Sequence, residues 1–232
     1  SELYPDVTVK MTPSLGSTGA IRALKTGRLN LATTSRPLKS SEKTPLIQSV
    51  LYAHTPFVFV ANPSYAQQTV SVEQLQKIYD GSHPYWPDGS ASRAILRPDN
   101  DSDSKILKES LTGFSETLTK AYQRRVKLVA FTDQESAGYV ERIRGAVGTS
   151  VLSLIISENR NLNPLTLEGV EPTVENLKNG RYKMKKSLYF VFSSRPSIQL
   201  THFLDFIKST KAQQILLDTG HETVSFSTEY SN

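Results

Sequence analysis

The feature that most constrains the fold is an alternation, along most of the chain, of short strand-like segments with segments of helical periodicity. Residues 56–60 form a continuous apolar run of the kind found in strands buried on both faces. Residues 71–79 then show the apolar spacing of an amphipathic helix. Ser71 is placed to cap this helix with Gln74 at its third position, and Gly81 to end it. Short strands that alternate with helices predict an α/β fold with largely parallel pairing.

The same two periodicities place the remaining elements of the predicted fold. We expect strands at residues 5–11, 29–33, 94–97, 127–131, 147–156 and 187–192. We expect helices at residues 20–25, 105–122, 134–144, 173–178 and 197–217. The 232 residues are enough for one or two compact units with a sizeable core.

Composition excludes several classes of protein. The chain has no cysteine, which rules out thiolate metal sites and a catalytic cysteine. No apolar run approaches the roughly 18 residues of a membrane span. The net charge of +5 favours anions, but the basic clusters at 124–127 and 183–186 are short and lack interleaved aromatic residues. We interpret both clusters as solvated faces and expect no nucleic-acid partner.

The motifs of common enzymes and metal sites are not matched. Residues 16–19 (Gly-Ser-Thr-Gly) fit neither a Walker A loop nor the Gly-x-Ser-x-Gly elbow of hydrolases. The four histidines, at 54, 83, 202 and 221, have no metal-ligand spacing. Aspartates alternate at 99, 101 and 103 as in a calcium loop, but Ser104 and Ser110 stand where glycine and glutamate are required. We therefore expect no enzyme activity, no metal and no cofactor.

Three turns share one design, in which a strand ends, hydroxyl residues follow and a helix begins. They lie at residues 16–19, 33–36 and 97–104. Helix N-termini present unpaired N–H groups, so each turn can bind an anion, although each can equally be a simple helix cap. Arg36 and Arg97 favour the anion, because a guanidinium suits bidentate oxyanion recognition. The alternative for either arginine is a surface ion pair.

The order of motifs resembles the phosphate-type substrate-binding proteins of ABC importers, which have the type II periplasmic-binding-protein fold. Seven segments in family order carry the resemblance across nearly the whole chain: residues 16–24, 34–38, 72–81, 97–99, 145–148, 169–176 with 180–182, and 187–191. The resemblance implies two α/β lobes with a ligand cleft between them. One lobe takes residues 1–60 and 188–232, the other takes 61–187, and the chain crosses near 57–60 and 188–192.

By this resemblance the chain is an extracytoplasmic, monomeric protein that captures phosphate or a related small oxyanion and delivers it to a membrane permease. Its signal peptide and the first strand of the family are expected upstream of Ser1. The alternative is a periplasmic-binding-like sensor or interaction domain with an altered cleft. The expected ligand-binding residues are Ser17, Thr18, Ser35, Arg36, Arg97, Ser102, Asp103 and Ser104.

Two of these positions depart from the family pattern. Ser35 stands where well-studied phosphate binders carry an aspartate that accepts the proton of phosphate and so rejects sulfate. Residues 101–104 (Asp-Ser-Asp-Ser) replace the Ser-Gly-Thr that follows the arginine in the family. A buried carboxylate beside an anion is costly unless it accepts a proton. Either Asp101 or Asp103, with Asp103 preferred, takes the acceptor role, or both face water as helix caps, or phosphate is no longer bound.

Overall fold

The computed structural model describes residues 8–65 and 68–225 and has a mixed α/β fold. The helices are α1 (Gly16–Lys25), α2 (Val72–Asp80), α3 (Ser102–Ser110), α4 (Phe114–Gln123), α5 (Asp133–Arg142), α6 (Leu152–Ser157), α7 (Val174–Lys178), α8 (Ile198–Lys208) and α9 (Thr210–Asp218). The strands are β1 (Leu31–Thr34), β2 (Ile47–Ala61), β3 (Thr69–Val70), β4 (Arg93–Leu96), β5 (Leu128–Val129), β6 (Ala146–Val151), β7 (Asn163–Pro164), β8 (Thr166–Leu167), β9 (Lys185–Ser193) and β10 (Glu222–Thr223). The predicted α/β class is confirmed.

The chain divides into two compact units. Among the described residues, unit 1 comprises 8–52, 188–215 and 224–225, and unit 2 comprises 53–65, 68–187 and 216–223. Strands β2 and β9 each contain a residue pair at which the chain passes from one unit to the other. The predicted division fell after residues 60 and 187, whereas these two passages lie after residues 52 and 187.

The sheet of unit 2 is mixed. Strand β2 pairs antiparallel with β6, so that Phe57 lies opposite Val151, and it also pairs antiparallel with β7 and β10. Strand β4 lies between β6 and β5 and is parallel to both. The prediction of largely parallel pairing is therefore wrong. The continuous apolar run in β2 indicates that both faces are covered, and it does not indicate strand direction.

The sequence predicted the ends of a helix correctly where a short motif marks them. Ser71 and Gln74 form the predicted capping box at the start of α2, and Gly81 closes this helix in the left-handed conformation at φ 80°. The predicted helix at 105–122 is instead two helices, α3 and α4, because Gly113 between them has φ 82°. The predicted helix at 197–217 is likewise interrupted, at Ser209, whose backbone is extended.

Two predicted strands also differ from the structure. The predicted strand at 147–156 is β6 followed by the short helix α6. The predicted strand at 5–11 falls partly outside the described residues, and residues 8–11 have no regular structure. Within residues 8–65 and 68–225, no helix is long and apolar enough to cross a membrane.

Each unit has its own apolar core. The core of unit 2 is the larger and includes Phe57, Phe59, Tyr79 and Phe114. The rings of Phe59, Tyr79 and Phe114 contact one another in edge-on or tilted pairs. The core of unit 1 is built around α1 and β1 and contains Ala20, Ile21, Leu24, Ala32, Leu38 and Val191. These cores fix the strand ends and helix starts on which the candidate site residues lie.

Candidate functional site

Arg97 is held in unit 2 directly after the end of β4. Its side chain is 6% exposed, although guanidinium groups are seldom buried without partners. Asp101, four residues later, caps α3, because its Oδ1 accepts a hydrogen bond from the backbone N–H of Asp103 at 3.0 Å. The loop between β4 and α3 therefore folds back on the arginine, and this brings both aspartates beside it.

Three carboxylates surround the guanidinium of Arg97. Its Nη2 lies 3.2 Å from Asp101 Oδ2 and 3.3 Å from Asp133 Oδ1, and its Nε lies 3.8 Å from Asp103 Oδ2. Its third nitrogen, Nη1, is buried and has no acceptor among the described residues. The alternative of a surface ion pair is wrong in one respect, since the ion pairs exist but are buried. An unsatisfied buried N–H group of this kind favours an acceptor that the chain itself does not provide.

Asp103 is fully buried at the start of α3. Its Oδ1 forms an ion pair with Lys186 Nζ, and its Oδ2 accepts a hydrogen bond from Thr149 Oγ1 at 2.9 Å. The alternative that both aspartates face water is therefore wrong for Asp103. The role of Asp103 as acceptor of a ligand proton stays a prediction, and both of its oxygens already have partners within unit 2.

Lys186 is 1% exposed and contacts Asp133 as well as Asp103, with Nζ 3.0 Å from Asp133 Oδ2. The interpretation of residues 183–186 as a solvated face is wrong for this residue. Side chains on a strand alternate between its faces, and here Tyr182 and Met184 are buried while Lys183 and Lys185 are exposed. Lys186 continues the buried series, so its ammonium must find anionic partners inside the unit.

The five charged groups of this cluster perturb one another. We call Arg97, Asp101, Asp103, Asp133 and Lys186 the Arg97 cluster. Burial raises the pKa of Asp103, against the opposing effect of Lys186. Burial would also raise the pKa of Asp133, but the charges of Lys186 and Arg97 outweigh it and lower that pKa. Two cations and three carboxylates leave one net negative charge when all five groups are ionised.

The serines next to the cluster stabilise the loop. Ser104 is buried, its hydroxyl donates to the Pro98 carbonyl at 2.9 Å, and its Oγ lies 3.1 Å from the hydroxyl of Tyr122. Tyr122 in turn donates to the Arg97 carbonyl at 2.5 Å. Ser102 is the first residue of α3 and is half-buried. The structure thus brings Arg97, Asp103 and Ser104 together, and it places Ser102 at the helix start beside them.

The other four predicted residues lie in unit 1, where α1 begins and β1 ends. Ser17, in the first turn of α1, accepts a hydrogen bond from the backbone N–H of Ser35 at 3.1 Å. The hydroxyl oxygens of the two serines are also 3.1 Å apart. Two hydroxyl groups and a helix N-terminus at one place provide neutral donors for an anion.

Arg36 is bound within unit 1 by Glu42, a residue that the sequence reasoning did not single out. Its Nη1 and Nη2 donate to the two carboxylate oxygens of Glu42 at 2.7 and 2.8 Å, and Nη2 also donates to Thr18 Oγ1 at 3.1 Å. The bidentate hydrogen bonds from Arg36 lower the pKa of Glu42 to about 2. Arg36 is therefore already neutralised by a protein carboxylate.

Three further residues of the unit 2 site were also missed. Asp133 follows the cap residue Thr132 at the start of α5, and Thr149 lies on β6. Lys186 was misread because it stands in a basic run. Apolar residues alternate with lysines from 182 to 185, and Lys186 takes the next apolar position of this pattern, which is a signal that it is buried. Nothing in the local sequence links Asp133 or Thr149 to Arg97.

The chain has two α/β units and is a protein of the two-unit α/β class. In unit 2 the hydroxyl and guanidinium groups lie between the end of β4 and the start of α3, as the sequence predicted. In unit 1 they lie at the start of α1 and just after β1, and no helix follows β1 directly. No group of three or more side chains able to hold a metal ion occurs within the part of the chain that the structure describes. The sequence model of the PBP superfamily domain matches residues 1–211, and the chain belongs to that superfamily. The resemblance inferred from the seven segments is thereby confirmed at the level of the superfamily.

Known proteins similar to this chain include several phosphate binders. This chain is 23% identical over 214 residues to the phosphate-binding protein PstS of Borreliella burgdorferi. The aligned region covers 88% of this chain and 76% of that protein. A substrate-binding protein with bound phosphate from Clostridium perfringens has a TM-score of 0.78 at 21% identity, with 97% and 90% of the two chains covered. An ABC-type phosphate transport receptor from Vibrio cholerae has a TM-score of 0.60 at 23% identity, with 96% and 91% covered.

Proposed function

We propose that the chain is the solute-binding component of an ABC importer and captures phosphate or a related small oxyanion. Membership of the PBP superfamily supports a binding role, and the similar Clostridium perfringens protein holds phosphate. The protein acts outside the cytoplasm as a monomer and delivers its ligand to a membrane permease. It carries out no reaction on the ligand.

The observation that carries this proposal is the buried Nη1 of Arg97, which has no acceptor among the described residues. An oxygen of a bound oxyanion would supply that acceptor. Charge-assisted hydrogen bonds from a guanidinium to an oxyanion are among the stronger ones in proteins.

A thermal-shift panel of phosphate, sulfate, arsenate, molybdate and tungstate tests the proposal. A ligand that binds only the folded state, at about 100 times its dissociation constant, adds about 2.7 kcal/mol to the free energy of unfolding. For a chain of this size we expect a rise in melting temperature of roughly 5–10 °C. Unchanged melting temperatures with all five anions would contradict oxyanion binding.

A second candidate function is a sensor or interaction domain with an altered site. It is favoured by the three carboxylates that already surround Arg97, since they neutralise the charge that an anion would use. The same panel separates the two functions, because only the transport role requires a free anion to stabilise the protein.

A further inference from the structure

The Arg97 cluster has the wrong charge for an anion site as long as all its groups stay ionised. Both of its cations are already paired, and one negative charge is left over. Arg97 and Lys186 are 6% and 1% exposed, so solvent screens this excess charge weakly. Any oxyanion that reaches Arg97 Nη1 would add further negative charge to a buried site.

We propose that an oxyanion binds at the Arg97 cluster together with one proton from solvent, which the carboxylate of Asp103 takes up. This inference rests on the proposed function. It names the form in which the site accepts its ligand, namely as an anion whose charge is balanced by protonation of the protein. It also makes Asp103 a positioning residue that acts through Arg97, with no need for direct contact between Asp103 and the ligand.

Asp103 is the group best placed to take up the proton. It is fully buried, whereas the side chains of Asp101 and Asp133 are 22% and 25% exposed. Burial already raises the pKa of Asp103, while the pKa of Asp133 is lowered. Only two cations, Lys186 and Arg97, favour the ionised form of Asp103, and an anion on Arg97 would weaken one of those two interactions.

The charged and titratable groups facing Asp103 come from five parts of unit 2. They are Arg97 after β4, Asp101 in the following loop, Asp133 on α5, Lys186 on β9 and Tyr79 on α2. Burial raises the pKa of the Tyr79 hydroxyl, so this group stays neutral. The net effect of a bound anion is therefore to raise the pKa of Asp103 further.

The sign of the pH dependence follows from this shift. Binding raises the pKa of Asp103, so a proton is taken up between its pKa in the free protein and its higher pKa in the complex. Within that window the affinity rises up to about tenfold for each unit that pH falls, as linkage of one proton requires. Below the window Asp103 is protonated in both states and affinity becomes independent of pH.

Isothermal titration calorimetry in paired buffers of different ionisation enthalpy measures proton uptake directly. Sulfate is doubly charged from pH 4.5 to 8.5, and phosphate is almost entirely singly charged below about pH 6. Any proton taken up with sulfate, or with phosphate below that pH, is therefore taken up by the protein. We expect an uptake approaching one proton with whichever of the two anions binds.

Three variants assign the proton to Asp103. Asp103→Asn should abolish the uptake and make the dissociation constant independent of pH. Asp101→Asn, the matched control, removes a charge from the same cluster and should keep the uptake. If Asp103→Asn fails to fold, the double variant Asp103→Asn with Lys186→Gln replaces it. The double variant removes both charges of the buried pair and leaves the net charge of the cluster unchanged. It should also lose the proton uptake.

The outcomes separate the coupling from the proposed function. Binding without proton uptake in the wild type, or uptake that persists when Asp103 is replaced, overturns the coupling and leaves oxyanion binding in place. Absence of binding by both anions over the whole pH range overturns the proposed function, and the coupling with it.

Discussion

Replacement of Lys186 by methionine tests whether the buried ion pair supports the fold of unit 2. Lys186 is 1% exposed, and its Nζ contacts Asp103 and Asp133. Methionine keeps most of the side-chain volume but leaves the fully buried Asp103 without its ammonium partner. Breaking a buried pair in this way costs about 3–5 kcal/mol, because an uncompensated charge stays inside. For a chain of this length the melting temperature should fall by roughly 6–20 °C.

The loss should depend on pH in a defined direction. Without Lys186 the pKa of Asp103 rises further above its value in the unfolded chain, which is about 3.9. A raised pKa in the folded state gives stability that is present at low pH and is lost as pH rises through that pKa. The stability deficit of Lys186→Met should therefore be smaller at pH 5 than at pH 7.

Urea denaturation at pH 5 and pH 7, followed by circular dichroism, measures both effects. Lys185→Met is the matched control, since Lys185 is the exposed neighbour on the same strand and its replacement should change stability by less than about 0.5 kcal/mol. Equal effects of the two substitutions at pH 7 would refute the reasoning that Lys186 balances a buried carboxylate.

Three further predictions follow from named contacts. Arg97→Ala should weaken phosphate binding by about 2 kcal/mol or more, roughly 30-fold, as measured by calorimetry, and an unchanged affinity would leave Arg97 a structural role only. Gly148→Ala would place a Cβ 3.0 Å from Val140 Cγ2, and the crowding between β6 and α5 should lower the free energy of unfolding by about 1–3 kcal/mol in thermal melts. Unchanged stability would show that β6 and α5 can move apart. Ser71→Ala removes the capping box of α2 and should cost about 0.5–2 kcal/mol in urea denaturation, whereas no loss would show that the cap is not needed.

The parts of the fold that sequence reasoning predicted correctly depend on short-range signals. The capping box of Ser71 and Gln74 spans four residues, and the glycine that closes α2 follows the helix directly. The interruptions at Gly113 and Ser209 were missed because the amphipathic pattern continues across each of them. Apolar periodicity reports which face is buried, and it does not report where the backbone turns between two helices that bury the same face.

The candidate site was predicted only in part, for a related reason. Arg97, Asp101 and Asp103 stand within seven residues of one another, so their proximity could be inferred from the sequence. Asp133 and Lys186 reach the same cluster from α5 and β9, which lie far along the chain from β4 and α3. A tertiary contact of this kind leaves no local pattern, and a single sequence therefore predicted the arginine without its complete set of counter-ions.

The buried position of Asp103 changes how the selectivity of this chain should be tested. A carboxylate that accepts the ligand's own proton distinguishes phosphate from sulfate, because sulfate has no proton to donate. Asp103 already contacts Lys186 and Thr149, so its charge can act on the ligand without such a hydrogen bond. Asp103→Asn separates these roles. An acceptor role predicts that sulfate affinity rises toward that of phosphate. A role through charge alone predicts that both affinities rise together wherever Asp103 is ionised in the wild type. The ratio of the two dissociation constants, measured by calorimetry before and after the substitution, decides between them, and an unchanged ratio with unchanged affinities would contradict both roles.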